Sequence, residues 1–220
     1  MNKRTTQIIL LVASVLALIY IVLDYYGMIR YAKLYCKTPE YYIDKYSNLP
    51  KKQGKIVVCF AVTSKEELNK VTPFIKSLLD QSIAIDDIGI TAPYGVSNNI
   101  PESIRDVLSS YGHTRDYDDA NGLVCTVLRE TEENTKIIIL EPNTVYGYDF
   151  IQTITEESEK HPSDVIHVNS ENSKEMLVKP KFFSDKISGY EKGTGCLPWL
   201  KECQNVPSKV MSYFGNYKAI

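Results

Sequence analysis

The sequence predicts an α/β domain with a mostly parallel sheet flanked by helices, preceded by one N-terminal transmembrane helix. Two observations carry this prediction. The run Ile8–Leu23 holds sixteen residues without a charge, which is typical of a helix that lies in a bilayer. Farther along the chain, short apolar runs alternate with longer segments of helical pattern, and this order is typical of parallel strands joined by crossover helices.

The N-terminal apolar run is interpreted as an uncleaved single-pass signal-anchor. As a helix its sixteen residues span roughly 24 Å, and the flanking segments Thr5–Gln7 and Tyr25–Tyr26 can extend it to a spanning length. A cleaved signal peptide is the alternative, but no small-x-small cleavage site follows Leu23. We therefore assign residues 8–26 to the membrane and residues 1–7 to a short tail.

The orientation of the anchor depends on basic residues that lie on both sides of it. Lys3 and Arg4 precede the run, and Arg30, Lys33 and Lys37 follow it, so the positive-inside rule gives no clean answer. The charges nearest to the run favour a cytoplasmic N terminus. A short span also suits a thin membrane, and we expect a type II protein of the endoplasmic reticulum or Golgi with a luminal domain.

Charge and cysteine content narrow the function classes. The net charge is −2 and the pI is about 6.0, and no basic stripe is present, which excludes a nucleic-acid partner on electrostatic grounds. No Cys/His spacing predicts a zinc site. Cys196 and Cys203 are close in sequence and could pair in an oxidising lumen or remain free thiols.

Two regions follow the anchor. Residues 27–53 are interpreted as a stem that is rich in tyrosine and contains Pro39 and Pro50. Residues 54–220 form the α/β domain. Its predicted strands are Lys55–Val62, Ile88–Thr91, Lys136–Leu140 and Val165–Val168. The first predicted helix ends in Pro73–Leu79, with Pro73 in its first turn and Thr72 as a possible cap. The other predicted helices are Pro101–Tyr111, Gly122–Glu133 and Phe150–Lys160.

Functional residues are expected beyond the carboxyl ends of the strands, where sheets of this kind bind their ligands. Three segments of the sequence fall at such positions. They are Thr63–Ser64, Pro93–Gly95 and Glu141–Asn143. Any chemistry should come from these segments.

Four sequence motifs resemble the GT-A nucleotide-diphospho-sugar transferase fold in its glycosyltransferase family 2-like branch. The segment PFIKSLLDQS resembles the SLL-x-Q helix of inverting members, and IDDIGITAPYG followed by IPESI is similar to the next strand and helix start. In KIIILEPNTVYGYDFI, residues Tyr146, Asp149 and Phe150 fall on matching positions. SGYEKGTGCLP is similar to a Gly-rich segment near the end, so the resemblance covers Lys55–Pro198.

The resemblance implies a nucleotide-sugar donor whose diphosphate is bridged to the protein by Mg²⁺ or Mn²⁺. The acidic triplet that holds this cation falls on Glu141, Pro142 and Asn143, so Glu141 and Asn143 become candidate metal ligands. The candidate donor-binding residues are Thr63, Ser64, Pro93, Asp119, Glu141 and Asn143. The catalytic base is expected among Asp185, Glu191 and Glu202.

The sequence also departs from the family pattern. The triplet keeps one carboxylate, and the family's lysine position is occupied by Cys125. Glu141–Asn143 could equally be a strand-ending turn, Thr63 and Ser64 could cap a helix, and Asp119 could lie in a solvated loop. Two functions therefore stay open: a transferase that moves a sugar to an acceptor hydroxyl, or a catalytically inactive GT-A-like domain that needs no cofactor and binds or scaffolds an active transferase.

Overall fold

Two compact units make up the chain, Met1–Thr38 and Pro39–Ile220. The computed structural model describes residues 3–92, 94–97, 99–105, 107–111, 130, 132–171, 173–183, 206–215 and 217–218. Helix α3 (Pro39–Tyr46) opens the second unit, although it comes from the segment interpreted as stem. Its Tyr42 is buried, and its Lys45 forms an ion pair with Asp80. Ordered structure in the second unit therefore begins before residue 54.

The first unit contains two helices, α1 (Lys3–Tyr25) and α2 (Met28–Cys36). No residue of α1 is buried. By length and composition the helix is able to cross a bilayer, a property that signal sequences share. Gly27, between the two helices, has φ = 69°, a conformation that costs glycine little. The predicted N-terminal apolar helix is confirmed.

The second unit is built on a seven-stranded sheet of order β3-β2-β1-β4-β7-β6-β8. The strands are β1 (Ile56–Ala61), β2 (Asp87–Thr91), β3 (Ser109–Tyr111), β4 (Lys136–Ile139), β5 (Thr144–Val145), β6 (Val165–Val168), β7 (Met176–Val178), β8 (Ser208–Met211) and β9 (Tyr217–Lys218). Strands β1 to β4 pair in parallel, as do β6 and β8. Strand β7 is antiparallel to both of its neighbours. The predicted mostly parallel sheet is confirmed.

Helices flank this sheet, and a second, two-stranded sheet joins β5 to β9. The helices are α4 (Lys65–Leu79), α5 (Tyr94–Ser97), α6 (Glu102–Arg105), α7 (Phe150–Lys160) and a 3-10 turn at Pro180–Phe183. Strand β1 lies inside the large sheet, between β2 and β4, and five of its six residues are buried. A strand covered on both faces needs a nearly continuous apolar sequence, which IVVCFA supplies.

Two predicted helix boundaries were wrong. Helix α4 begins at Lys65 rather than near Pro73, because Ser64 caps it upstream by accepting the Glu67 N–H at 3.1 Å. The helix expected over 101–111 ends at Arg105, since Ser109–Tyr111 pairs with β2 instead. Most of the helix predicted at 122–133 lies outside the described residues, while 132–135 forms a turn closed by Thr135.

Candidate functional site

The carboxyl edge of the sheet gathers the segments at which ligands were expected. The N–H of Val62 donates to the Thr91 carbonyl at 2.9 Å, and the N–H of Leu140 donates to the Cys59 carbonyl at 3.0 Å. The chain therefore leaves β1, β2 and β4 at one edge. Because β7 runs the opposite way, its first residues reach this same edge, with Met176 paired to Ile139.

The predicted acidic triplet forms a tight turn directly after β4. The Thr144 N–H donates to the Glu141 carbonyl at 3.2 Å, which places Pro142 and Asn143 at the two central positions of a β-turn. Asn143 is exposed, whereas Glu141 and Pro142 are half-buried. The strand-ending turn is thus present, and Glu141 is the one carboxylate that the turn brings to the edge.

A second carboxylate, which sequence reasoning missed, lies beside this turn. Glu175 immediately precedes β7, and its Oε1 accepts a hydrogen bond of 2.5 Å from the hydroxyl of Tyr146. The same hydroxyl accepts the Glu141 N–H at 3.0 Å. The only sequence signal for this position was an acid next to the apolar triplet Met176–Val178, and that triplet was too short to be recognised as a strand.

The carboxylates of Glu141 and Glu175 carry like charges and repel each other. Burial raises the pKa of Glu175, the hydrogen bond from Tyr146 opposes that rise, and the nearby charge of Glu141 adds to it. A hard divalent cation would relieve this repulsion, because such cations take carboxylate oxygens as ligands. The described part of the chain holds no group of three or more acidic, His or Cys side chains suited to a metal.

The raised pKa of Glu175 predicts a pH-dependent stability. Since the folded-state pKa lies above the unfolded value of 4.5, Glu175 stabilises the fold most below pH 4.5, and that contribution is lost as the pH rises through the folded-state pKa. We expect the wild type to lose stability relative to Glu175→Gln over this rise. Urea unfolding of both proteins in detergent with EDTA, over a pH series, measures the difference. Glu171→Gln, at an exposed position of the same loop, should track the wild type; an equal pH response of Glu175→Gln and the wild type would contradict the prediction.

The other predicted site residues are distributed unevenly. Thr63 and Ser64 lie at the carboxyl edge, but both engage the start of α4: Thr63 donates to Glu67 through its N–H at 2.7 Å and its hydroxyl at 2.9 Å. The remaining candidates lie outside the described residues. They are Pro93, Asp119, Asp185, Glu191 and Glu202, together with Cys125, Cys196 and Cys203.

Two polar residues of the SLL-x-Q motif hold the segment that follows the turn. The hydroxyl of Ser77 accepts the Tyr146 N–H at 3.1 Å. Buried Gln81 donates to the Gly147 carbonyl at 2.8 Å and accepts the Ile151 N–H at 3.1 Å. The motif therefore fixes Tyr146 and the start of α7 to helix α4.

Gly147 lies against Tyr213 and Gly215 of the C-terminal segment. The hydroxyl of Tyr213 donates to Asp149 at 2.5 Å. A Cβ atom on Gly147 would lie 2.1 Å from that hydroxyl and 2.9 Å from the Gly215 carbonyl oxygen, so only glycine fits here. Asp149, one of the positions that resemble the family, serves to hold Tyr213.

Comparison with known proteins supports the fold through structure alone. No protein-family model matches the chain, and no curated protein matches its sequence. Among solved structures, a 4-diphosphocytidyl-2C-methyl-D-erythritol synthase aligns with a TM-score of 0.54 at 7% identity, over 77% of this chain and 94% of its own. The Francisella tularensis 2-C-methyl-D-erythritol 4-phosphate cytidylyltransferase (IspD) aligns with a TM-score of 0.53 at 10% identity, over 77% and 94%.

S. aureus TarS is a further structural neighbour, with a TM-score of 0.53 at 12% identity. The alignment covers 76% of this chain and 37% of TarS. Such low identities bear on the fold alone. The chain has a GT-A-like fold, as its sequence resemblance implied.

Proposed function

We propose that this protein is a membrane-anchored glycosyltransferase that moves a sugar from a nucleotide-sugar donor to an acceptor hydroxyl. One observation supports the proposal: Glu175 joins Glu141 at the carboxyl edge of a GT-A-like sheet, where the Tyr146 hydroxyl donates to the Glu175 carboxylate and accepts the backbone N–H of Glu141. The pair supplies the second carboxylate that the triplet Glu141-Pro142-Asn143 lacks.

A hard divalent cation prefers oxygen ligands, and Glu141 and Glu175 supply two carboxylates of that kind. Glu141 and Glu175 would hold Mg²⁺ or Mn²⁺, with the amide oxygen of Asn143 as a neutral ligand. When bound, the cation supplies positive charge to the donor's diphosphate and stabilises it as a leaving group. Thr63, Ser64, Pro93 and Asp119 stay candidates for donor binding.

In the proposed transfer the acceptor oxygen bonds to the anomeric carbon of the sugar while the bond from that carbon to the diphosphate breaks. The acceptor proton passes to a carboxylate, for which we keep Asp185, Glu191 and Glu202 as candidates. The carboxylates at the ends of β4 and β7 favour a charged donor, because they attract a cation that in turn attracts diphosphate oxygens.

The second candidate function is an inactive GT-A-like domain that binds or scaffolds an active transferase. The features that favour it are Pro142 in the centre of the triplet and the exposed, uncharged Asn143. An amide brings no charge to a cation site, so a cation held by this turn is bound more weakly than by the family's full triplet.

For localisation we propose that residues 8–26 within α1 anchor the chain, with the domain on the luminal side of the endoplasmic reticulum or Golgi membrane. The length and apolar composition of α1 support the anchor. The charges nearest to the helix support the orientation.

The test is a calorimetric titration of the full chain in detergent with UDP- and GDP-sugars, with and without Mn²⁺. We expect Mn²⁺-dependent binding that Glu141→Ala weakens by at least about 100-fold, since loss of a charged ligand costs more than loss of an outer-shell partner. Glu171→Ala, at an exposed position of the loop before Glu175, should bind as the wild type does. Metal-independent binding, or none, would favour the inactive domain.

A further inference from the structure

We infer that Tyr146 is a positioning residue for the proposed cation site: its hydroxyl, held by Glu175, fixes the backbone of Glu141 and thereby the direction of the Glu141 carboxylate. The inference rests on the proposed function for its ligand and on the contacts of Tyr146 for its geometry. It assigns to the tyrosine of the YGYDF segment a role at the turn five residues before it.

The role of Tyr146 begins with an N–H that the sheet leaves without a ladder partner. Leu140 makes the last cross-strand bond of this stretch, to the Cys59 carbonyl. The next N–H, that of Glu141, meets the Tyr146 hydroxyl at 3.0 Å instead. A half-buried N–H requires an acceptor, and here one side-chain oxygen supplies it at the point where the strand becomes the turn.

Glu175 determines which way the Tyr146 hydroxyl faces. A tyrosine hydroxyl has one proton to donate and lone pairs to accept with. Because its proton is donated to Glu175 at 2.5 Å, its lone pairs are left for the Glu141 N–H. A tyrosine hydroxyl carries its proton at neutral pH, so the donor that this arrangement needs is present.

The Tyr146 ring is itself immobilised by its neighbours. It packs against Phe74 and Phe150, with ring centroids 5.8 Å and 4.6 Å apart, and its N–H is bonded to Ser77. Tyr146 has no exposed surface. The hydroxyl is therefore a fixed point, and the Glu141 backbone is held relative to α4 rather than by the turn alone.

Tyr146→Phe tests the inference because it keeps the ring and removes the hydroxyl. Hydrogen–deuterium exchange of the ligand-free full chain in detergent, measured by NMR, should show the Glu141 amide exchanging about 10-fold faster, the effect of losing one hydrogen bond. The amide of Ile138, in the centre of β4, should keep its wild-type rate. Tyr213→Phe removes a hydroxyl from a ring that packs against Phe150. It does not touch Glu141 and should leave Glu141 exchange unchanged.

The ligand arm of the test uses Mn²⁺ alone as the probe. Tyr146→Phe should weaken Mn²⁺ binding about 10-fold, whereas Glu175→Gln should weaken it at least as much while leaving Glu141 exchange near the wild-type rate, because the amide oxygen still accepts from Tyr146. This split separates positioning from direct ligation.

The outcomes decide the two proposals separately. Unchanged Glu141 exchange in Tyr146→Phe overturns the inference, as does equal acceleration at Ile138, which would mark a general loss of stability. Wild-type Mn²⁺ affinity in a variant with accelerated Glu141 exchange also overturns it. If the wild type binds no Mn²⁺, the proposed function fails, and the exchange rates still decide whether Tyr146 holds the turn.

Discussion

Phe74→Ala should lower the free energy of unfolding by about 3–5 kcal/mol, the range for truncating a buried phenylalanine. Phe74 lies on α4 with no exposed surface. Its ring meets Phe60 of β1 edge to face at a centroid distance of 4.8 Å and Tyr146 at 5.8 Å. Alanine would leave a cavity between β1 and the segment that follows the turn, and the packed rings of Phe60 and Tyr146 limit its collapse.

Urea unfolding of the full chain in detergent measures this loss. Lys70→Ala, an exposed position on the same helix, serves as the control and should change stability by less than about 0.5 kcal/mol. A loss below about 1.5 kcal/mol in Phe74→Ala would mean that the aromatic core repacks to fill the cavity. That result would contradict the expectation that a close-packed interior relaxes only in part.

Gln81→Leu should cost about 1–3 kcal/mol, since it leaves the buried Ile151 N–H without its Gln81 acceptor. The Gly147 carbonyl keeps the Phe150 N–H as a partner at 3.2 Å. Gln81 is fully buried and bridges the Gly147 carbonyl and the Ile151 N–H. Leucine has nearly the same volume, so the loss comes from hydrogen bonding rather than from packing. Because these bonds hold the segment after the turn, we also expect weaker Mn²⁺-dependent donor binding in this variant.

The matched control is the same substitution at Gln53, which is exposed and should change stability by less than about 0.5 kcal/mol. Unfolding by urea and donor binding by calorimetry are measured on both variants. If Gln81→Leu were as stable as the wild type, the amide would not be the link between α4 and α7, and the SLL-x-Q resemblance would need another physical reason.

Much of the scaffold was predictable because its signals are local. The continuous apolar runs of β1 and β4 mark strands buried on both faces, and α7 and β6 have the predicted bounds Phe150–Lys160 and Val165–Val168. The start of α4 was also predictable, since Ser64 followed by Glu67 is a capping signal. Pro73, which was taken as the first turn of the helix, lies inside it. Strand β3 carried no comparable signal, because its three residues become a strand only by pairing with β2.

The candidate site divides in the same way. The turn at Glu141–Asn143 follows from Pro-Asn after an apolar strand, and the sequence placed Glu141 at the ligand-binding edge. Glu175 was not foreseeable, since 34 positions along the chain separate it from Glu141 and only the antiparallel pairing of β7 with β4 joins them. Ser77 and Gln81 were recognised as a motif, but their partners near Tyr146 were not.

The sequence by itself determined the apolar N-terminal helix, the strands β1, β2, β4 and β6, helix α7 and the position of Glu141, because hydrophobic period, capping and turn chemistry act over a few residues. Only the tertiary structure decided which groups share the site. Register between β4 and β7 brings Glu175 to Glu141, and close packing of α4 against Tyr146 sets the hydroxyl between them. Such contacts join residues far apart in sequence, and they form only when the strands pair and the helices pack on the sheet.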